Sequence, residues 1–199
     1  MRTPHYQYFL ALEQEFEESI RFAELDNRNS STFSTSYLKM LFAACIEVES
    51  VLKAISNRSS ISVSPDNING LRRSILGIYP AFHRITVEIP RYSMSISPWE
   101  SWGNNTNPPW WHAYTATKHS RQTSYEQANQ RNVVDAIAAL FASLIYLYAE
   151  PSQRIHLDVE PRLFHYENLF PSHLVCSSDI TFPTEHDPET PSPDEASES

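Results

Sequence analysis

Glycine and cysteine are both scarce in this sequence, and their scarcity excludes several kinds of site. The three glycines (Gly70, Gly77 and Gly103) form no glycine-rich loop, so P-loop and Rossmann nucleotide sites are excluded. The two cysteines, Cys45 and Cys176, are too few for the disulfide framework of a small secreted domain. Because Cys-x-x-Cys, His-Glu-x-x-His and Gly-x-Ser-x-Gly patterns are also absent, we predict no metal, no cofactor and no serine-hydrolase site.

The sequence also lacks an excess of basic residues. Its formal net charge is -9, from 24 acidic and 15 basic side chains. Six of the acids lie in residues 184–199, which contain no lysine or arginine, so the rest of the chain carries only -3. A protein that coats DNA needs a concentrated basic surface, so that class is excluded, whereas a small basic site is not.

No hydrophobic run is long enough for a membrane span. The most apolar stretch, Val133 to Tyr148, has 16 residues and contains Asp135, whereas a spanning helix takes about 20 apolar residues. The first residues, Met-Arg-Thr-Pro-His-Tyr, lack the apolar run of a signal peptide. We therefore predict a buried helix at 133–148 and a cytoplasmic protein without membrane contact.

Apolar periodicity predicts two helices in the first third of the chain. Residues 6–25 are amphipathic, and Glu13 is assigned to their polar face. Residues 37–55 form a more apolar helix, for which Ser34 or Ser36 would supply the N-terminal cap.

The later part of the chain mixes helices with one extended region. A third helix is predicted over residues 65–78, and the last, 133–148, follows helical turns over 110–131 with a break near Ser124. Residues 85–96 alternate apolar and polar side chains, which predicts two short extended segments. The fold class is therefore all-α, a bundle of four to five helices with a small extended or β insertion.

Three regions are predicted along the chain. Residues 5–150 form the helical domain, and residues 151–176 form an irregular segment that wraps around it. Residues 177–199 are rich in Pro, Ser, Thr, Glu and Asp and too poor in apolar surface to offset the entropy of ordering. We expect this last region to be a disordered acidic tail.

One stretch, residues 110–121, combines aromatic and basic side chains. If it is helical, Tyr114, Lys118 and Arg121 share one face, and His119 lies beside them. Two permanent cations and one group that titrates near neutrality are suited to hold a phosphodiester and to move a proton beside it. His119 is thus the candidate acid/base, and Lys118 and Arg121 are candidate phosphate clamps. The alternative is a core aromatic face next to a solvated basic one.

Acidic residues of the second helix are candidates for a supporting role. Glu49 and Lys53 are four residues apart and predict an ion pair on the helix surface. An acid in such an apolar helix needs a partner if it is buried. We predict that Glu47 or Glu49 faces His119 or Arg121. The alternative is that both acids lie at the water-facing edge.

The four tryptophans cluster within residues 99–111. Exposed, they would stack on unpaired bases; buried, they would pack a loop onto the bundle, which is the interpretation we favour. Trp111 and Tyr114 are assigned supporting roles beside the candidate cluster.

Three stretches of the chain carry a family resemblance. They are Ser36-Tyr37 through Lys53, Pro98-Trp99 through Trp102, and Trp110-Trp111 through Asn129. Together they resemble a family of uncharacterised bacterial proteins with a Trp-x-x-Tyr-x-x-x-Lys-His-x-Arg segment before a long apolar helix. The resemblance covers most of residues 6–150, and this family is similar in outline to the HEPN superfamily. It implies a compact helical bundle, often dimeric, of the kind found in toxin–antitoxin, abortive-infection and other phage-defence systems.

The sequence departs from the nuclease branch of that superfamily. Many HEPN proteins are metal-independent ribonucleases with an Arg-x(4–6)-His motif, and others bind without catalysis. No arginine here has a histidine at that spacing, His119 precedes Arg121, and Thr115 stands where the family has Asn. We therefore predict a HEPN-like binding or assembly module of a bacterial defence or toxin–antitoxin system. The alternative is an RNA-cleaving enzyme that uses the Lys118–His119–Arg121 cluster. The expected partner is a protein, either a second copy or another chain, with RNA as the alternative ligand.

Overall fold

The computed structural model describes residues 4–57, 67–148 and 159–166, and the backbone of residues 155–156 and 179–180. This part of the chain is mostly helical, as predicted, and it contains six α-helices rather than four to five. They are α1 (Pro4–Ile20), α2 (Thr35–Ser56), α3 (Ile68–Ile78), α4 (Pro109–His119), α5 (Arg121–Ser124) and α6 (Gln130–Tyr148).

Helix α6 is the centre of the bundle. It packs most extensively against α2, and α1 and α4 also contact it. By length and composition α6 is the one described helix apolar enough to cross a membrane, and 89% of its apolar window is buried inside the fold. The prediction of a buried helix over 133–148 is therefore confirmed.

Helix α2 begins where the sequence predicts a cap. The Ser34 hydroxyl accepts a hydrogen bond from the Tyr37 backbone N–H at 3.0 Å. Asn67 caps α3 in the same way, through the Gly70 N–H at 3.0 Å. Each side chain satisfies one of the N–H groups that a helix start leaves without a partner.

Helix α1 ends at Ile20, five residues before the predicted Leu25. After this end the chain is held by the buried Gln130 side chain, whose Nε2 donates to the carbonyls of Ala23 at 2.7 Å and Glu24 at 3.2 Å. Periodicity within α1 alone gives no sign of a partner more than a hundred residues away.

The small extended insertion is confirmed, and its two predicted segments pair as a short hairpin. Strands β1 (Val87–Ile89) and β2 (Met94–Ile96) pair antiparallel, with Val87 opposite Ile96. A 3-10 turn, Pro90–Tyr92, joins them, and Ser93 follows with φ 48° in the left-handed region. Val87, Ile89 and Ile96 are buried, so the hairpin packs its alternate side chains onto the bundle.

The described part of the wrapping segment, residues 159–166, is bound to α1 and β1. Leu163 and Phe164 are buried, and their backbone N–H groups donate to the carboxylate of Glu13 at 2.8 and 3.2 Å. The assignment of Glu13 to the polar face is therefore wrong. Its side chain belongs to the core because backbone donors of this distant segment satisfy it there.

Two short strands lie in the region beyond α6. Strand β3 (Ile155–His156) pairs antiparallel with β4 (Asp179–Ile180). Apart from β4, the predicted acidic tail from residue 177 lies outside the described residues, as does most of the predicted wrapping segment.

Asp135 on α6 gives a pH prediction. Burial raises the pKa of this carboxyl above its ordinary 3.8, and the Arg131 guanidinium, 2.9 Å away, offsets only part of the increase. The folded state thus holds the proton more tightly than the unfolded state, so this group's contribution to stability falls as pH rises above 3.8. We expect Asp135→Asn to remove that fall in urea unfolding measured from acid to neutral pH. A variant that loses more stability at neutral than at acid pH would show that the Arg131 ion pair dominates instead.

Candidate binding surface

The tryptophan cluster is part of the core and does not form a ligand platform. Trp99, Trp102 and Trp110 are fully buried, and the indole N–H of Trp99 donates to the carbonyl of Ala139 on α6 at 3.3 Å. The Trp110 N–H donates to the Pro98 carbonyl at 2.9 Å. These contacts confirm that the tryptophans pack the loop onto the bundle and leave no indole face open to a base.

The predicted break near Ser124 is confirmed, because α5 ends there and a 3-10 turn, Tyr125–Gln127, follows. A second break, at Ser120, was not predicted. Helix α4 ends at His119, Ser120 has φ -138° and ψ 48°, and α5 begins at Arg121. Tyr114 and Lys118 therefore share a helix face, but Arg121 does not belong to the same helix. The predicted grouping of the three side chains still occurs, because the break directs Arg121 onto α2.

Two aromatic rings and two cations meet where α4 and α5 cross α2. The rings of Phe42 and Tyr114 pack edge to face with centroids 5.2 Å apart. Lys118 Nζ lies 5.5 Å from the centre of the Tyr114 ring, and Arg121 Cζ lies 5.8 Å from that of Phe42. Both distances fall within the range of cation–π attraction. Because Tyr114 is only 6% exposed, the cations cover rings that belong to the core edge.

An apolar side chain extends this group towards solvent. Ile46 lies one turn after Phe42 on the same face of α2 and is 57% exposed. We call Phe42, Ile46, Tyr114, Lys118 and Arg121 together the cation–aromatic surface. Lys39, also exposed, lies one turn before Phe42 and adds a third cation to its edge.

The cations of this surface have no acidic partner among the described residues. Lys118 and Arg121 are exposed, and the ion pairs found in residues 4–57, 67–148 and 159–166 involve neither of them. His119 is exposed as well, and no described side chain hydrogen-bonds to its ring. The described region thus offers charge for an anionic ligand but no group that would orient His119 as a general acid or base.

The prediction that Glu47 or Glu49 faces His119 or Arg121 is wrong. Glu47 Oε1 lies 2.5 Å from His5 Nδ1 on α1, and both side chains are partly buried. Glu49 instead accepts from Lys53 Nζ at 2.6 Å, the pair predicted from their spacing. Glu47 lies on the side of α2 that faces α1, whereas Phe42 lies on the side that faces α4. Helical spacing separates these two sides but does not say which helix covers each.

Trp111, which was assigned a supporting role, packs beneath the cation–aromatic surface. It is largely buried, and its ring packs against Tyr114 with centroids 5.3 Å apart and against Trp110 at 5.8 Å. The apolar pattern of α2 included Phe42 among its buried residues, and Ile46 was given no role. Their position in the helix was the one indication of exposure, because they lie near the outer edge of that apolar face, next to Lys39 and Glu49.

A metal centre finds no support in the described residues, which contain no group of three or more potential His, Cys, Asp or Glu ligands. No family model, curated protein or solved structure matches this chain. The HEPN-like relationship and the defence context therefore remain predictions.

Proposed function

We propose that this chain is a non-enzymatic binding module that docks an acidic protein partner on the cation–aromatic surface. The observation that carries the proposal is the placement of Lys118 and Arg121 over the rings of Tyr114 and Phe42, exposed and without an acidic partner in the described region. A ring beneath each cation helps to hold it in position, so less side-chain freedom is lost when a partner binds.

The composition of the surface favours a protein over RNA. Ile46 provides an exposed apolar centre, and Lys39, Lys118 and Arg121 provide a charged rim, the usual arrangement of a protein interface. Binding of single-stranded RNA would need open aromatic faces, but Tyr114 and Trp111 are buried. The resemblance to HEPN bundles makes a defence or toxin–antitoxin partner the first class to test.

The alternative of an RNA-cleaving enzyme rests on His119 between the two cations. The direct test is metal-free incubation of labelled total RNA with the wild type and with His119→Ala. We expect no cleavage by either protein. Cleavage by the wild type that His119→Ala lacks would overturn the binding-module proposal in favour of a ribonuclease.

To test the binding, a photo-crosslinking amino acid is placed at position 46, and the partner that it captures in cells is identified. The affinity of the separately purified partner for this protein is then measured. We expect the partner to present Asp or Glu side chains, and Lys118→Glu/Arg121→Glu to weaken its binding by at least about tenfold, since like charges then oppose each other. The matched control is Arg73→Glu/Arg84→Glu, which reverses two exposed charges elsewhere and should leave affinity unchanged. Equal affinity of both double variants, or crosslinking to RNA alone, would contradict the proposal.

A further inference from the structure

A recess lined by acidic rather than basic side chains lies on a different side of α2 from the cation–aromatic surface. It is an open groove of about 500 Å³ between the end of α1 and the start of α2. We call it the acidic groove, and its main lining residues are Glu15, Glu18, Phe22, Ser36, Tyr37 and Met40. None of the residues that line it is a lysine or an arginine.

Hydrogen bonds hold the backbone at the base of the acidic groove. Buried Gln130 holds the connector between α1 and α2 (residues 21–34), through its Nε2 to the Ala23 carbonyl and through its backbone N–H to the Thr32 carbonyl at 2.9 Å. Within the connector, Asp26 accepts from the Arg28 N–H at 2.8 Å, and Asn29 Nδ2 donates to the Glu24 carbonyl at 2.9 Å. A groove held in this way loses little freedom on binding, which favours affinity.

The chemistry of the groove combines negative charge with an open apolar side chain. Phe22 stands on the rim and is 92% exposed, the most exposed of the large hydrophobic residues described. Glu15 is exposed and makes no ion pair in the described part of the chain. Among the described side chains, Glu18 is engaged by the neutral amide of Gln14 alone, at 3.2 Å. A ligand that suits these groups offers a cation and an apolar side chain close together.

We infer that the acidic groove docks a basic segment of a partner protein, whose cation meets Glu15 and Glu18 while its apolar side chain packs on Phe22. This site is separate from the cation–aromatic surface. Ser36 and Met40 lie on the side of α2 that faces α1, whereas Phe42 and Ile46 lie towards α4. The inference goes beyond the proposed function, since it gives the module a second partner of opposite charge.

The test uses a phage library of short random peptides, selected on the wild type and counter-selected on Phe22→Ser. We expect the enriched peptides to carry Lys or Arg beside a large apolar residue. With a labelled enriched peptide, we expect Glu15→Lys to weaken binding by about tenfold, because a cation then faces a cation. Glu100→Lys, at another exposed site, changes the net charge equally and is the matched control.

Three results of the peptide experiment would overturn the inference. They are enrichment of peptides without basic residues, no enrichment beyond that on Phe22→Ser, and equal loss of binding in Glu15→Lys and Glu100→Lys. A dimer in sedimentation that Phe22→Ser abolishes would assign the groove to a second copy of the chain instead. Lys118→Glu/Arg121→Glu should keep peptide affinity, so failure here is distinguishable from failure of the proposed function.

Discussion

Replacing Trp99 with alanine is expected to lower the free energy of unfolding by about 3–5 kcal/mol, the usual cost of removing a large aromatic side chain from a core. The Trp99 ring is 0% exposed and lies against three others, with centroids 4.2 Å from Trp102, 5.1 Å from Trp110 and 5.4 Å from Phe82. Its N–H also donates to the Ala139 carbonyl on α6. The deletion therefore leaves a cavity at the junction of the loop and the central helix.

Urea unfolding measures this loss, and Phe22→Ala is the control because Phe22 is the most exposed of the large hydrophobic residues described. A control change within about 0.5 kcal/mol is expected for an exposed side chain. The cluster continues through Trp110 and Trp111 to Tyr114, so Trp99→Ala should also disturb the cation–aromatic surface. A loss no larger than that of Phe22→Ala would mean that the core closes over the missing ring.

The helices that were predicted most closely are those whose ends are determined by nearby residues in the sequence. Helix α2 begins after the Ser34 cap and ends at Ser56, one residue beyond the predicted end. Helix α6 contains the whole predicted run, since an apolar segment of that length has to be buried. The early end of α1 and the break at Ser120 could not be predicted, because no proline or glycine marks either position in the sequence.

The candidate site was predicted only in part, because some of its residues come from another part of the sequence. Spacing alone identified Tyr114 and Lys118 as neighbours, and the basic residues of the segment pointed to Arg121. The ring beneath Arg121 belongs to Phe42 on another helix, and no pattern within residues 110–121 indicates it. The prediction for Glu47 was wrong because the partner of an acidic side chain depends on which helix lies opposite it. The packing of α1 on α2 places His5 opposite Glu47.

The segment that covers α1 should be released when Glu13 is replaced with alanine. Glu13 is 2% exposed, and its Oε1 accepts the N–H groups of Leu163 and Phe164. Each buried donor left without a partner costs about 1–3 kcal/mol. We therefore expect the free energy of unfolding to fall by about 2–4 kcal/mol. Detachment of residues 159–166 limits this loss, because water then satisfies the freed N–H groups.

Hydrogen exchange separates this local release from general unfolding. Faster exchange at Leu163 and Phe164 in Glu13→Ala, with α6 still protected, is the expected pattern. Glu15→Ala, on the same helix but facing solvent, should leave exchange unchanged. Glu13→Gln keeps an acceptor oxygen and adds an amide N–H that needs its own partner, so it should fall between the two. Unchanged protection of residues 159–166 in Glu13→Ala would instead mean that Leu163 and Phe164 hold the segment by packing alone.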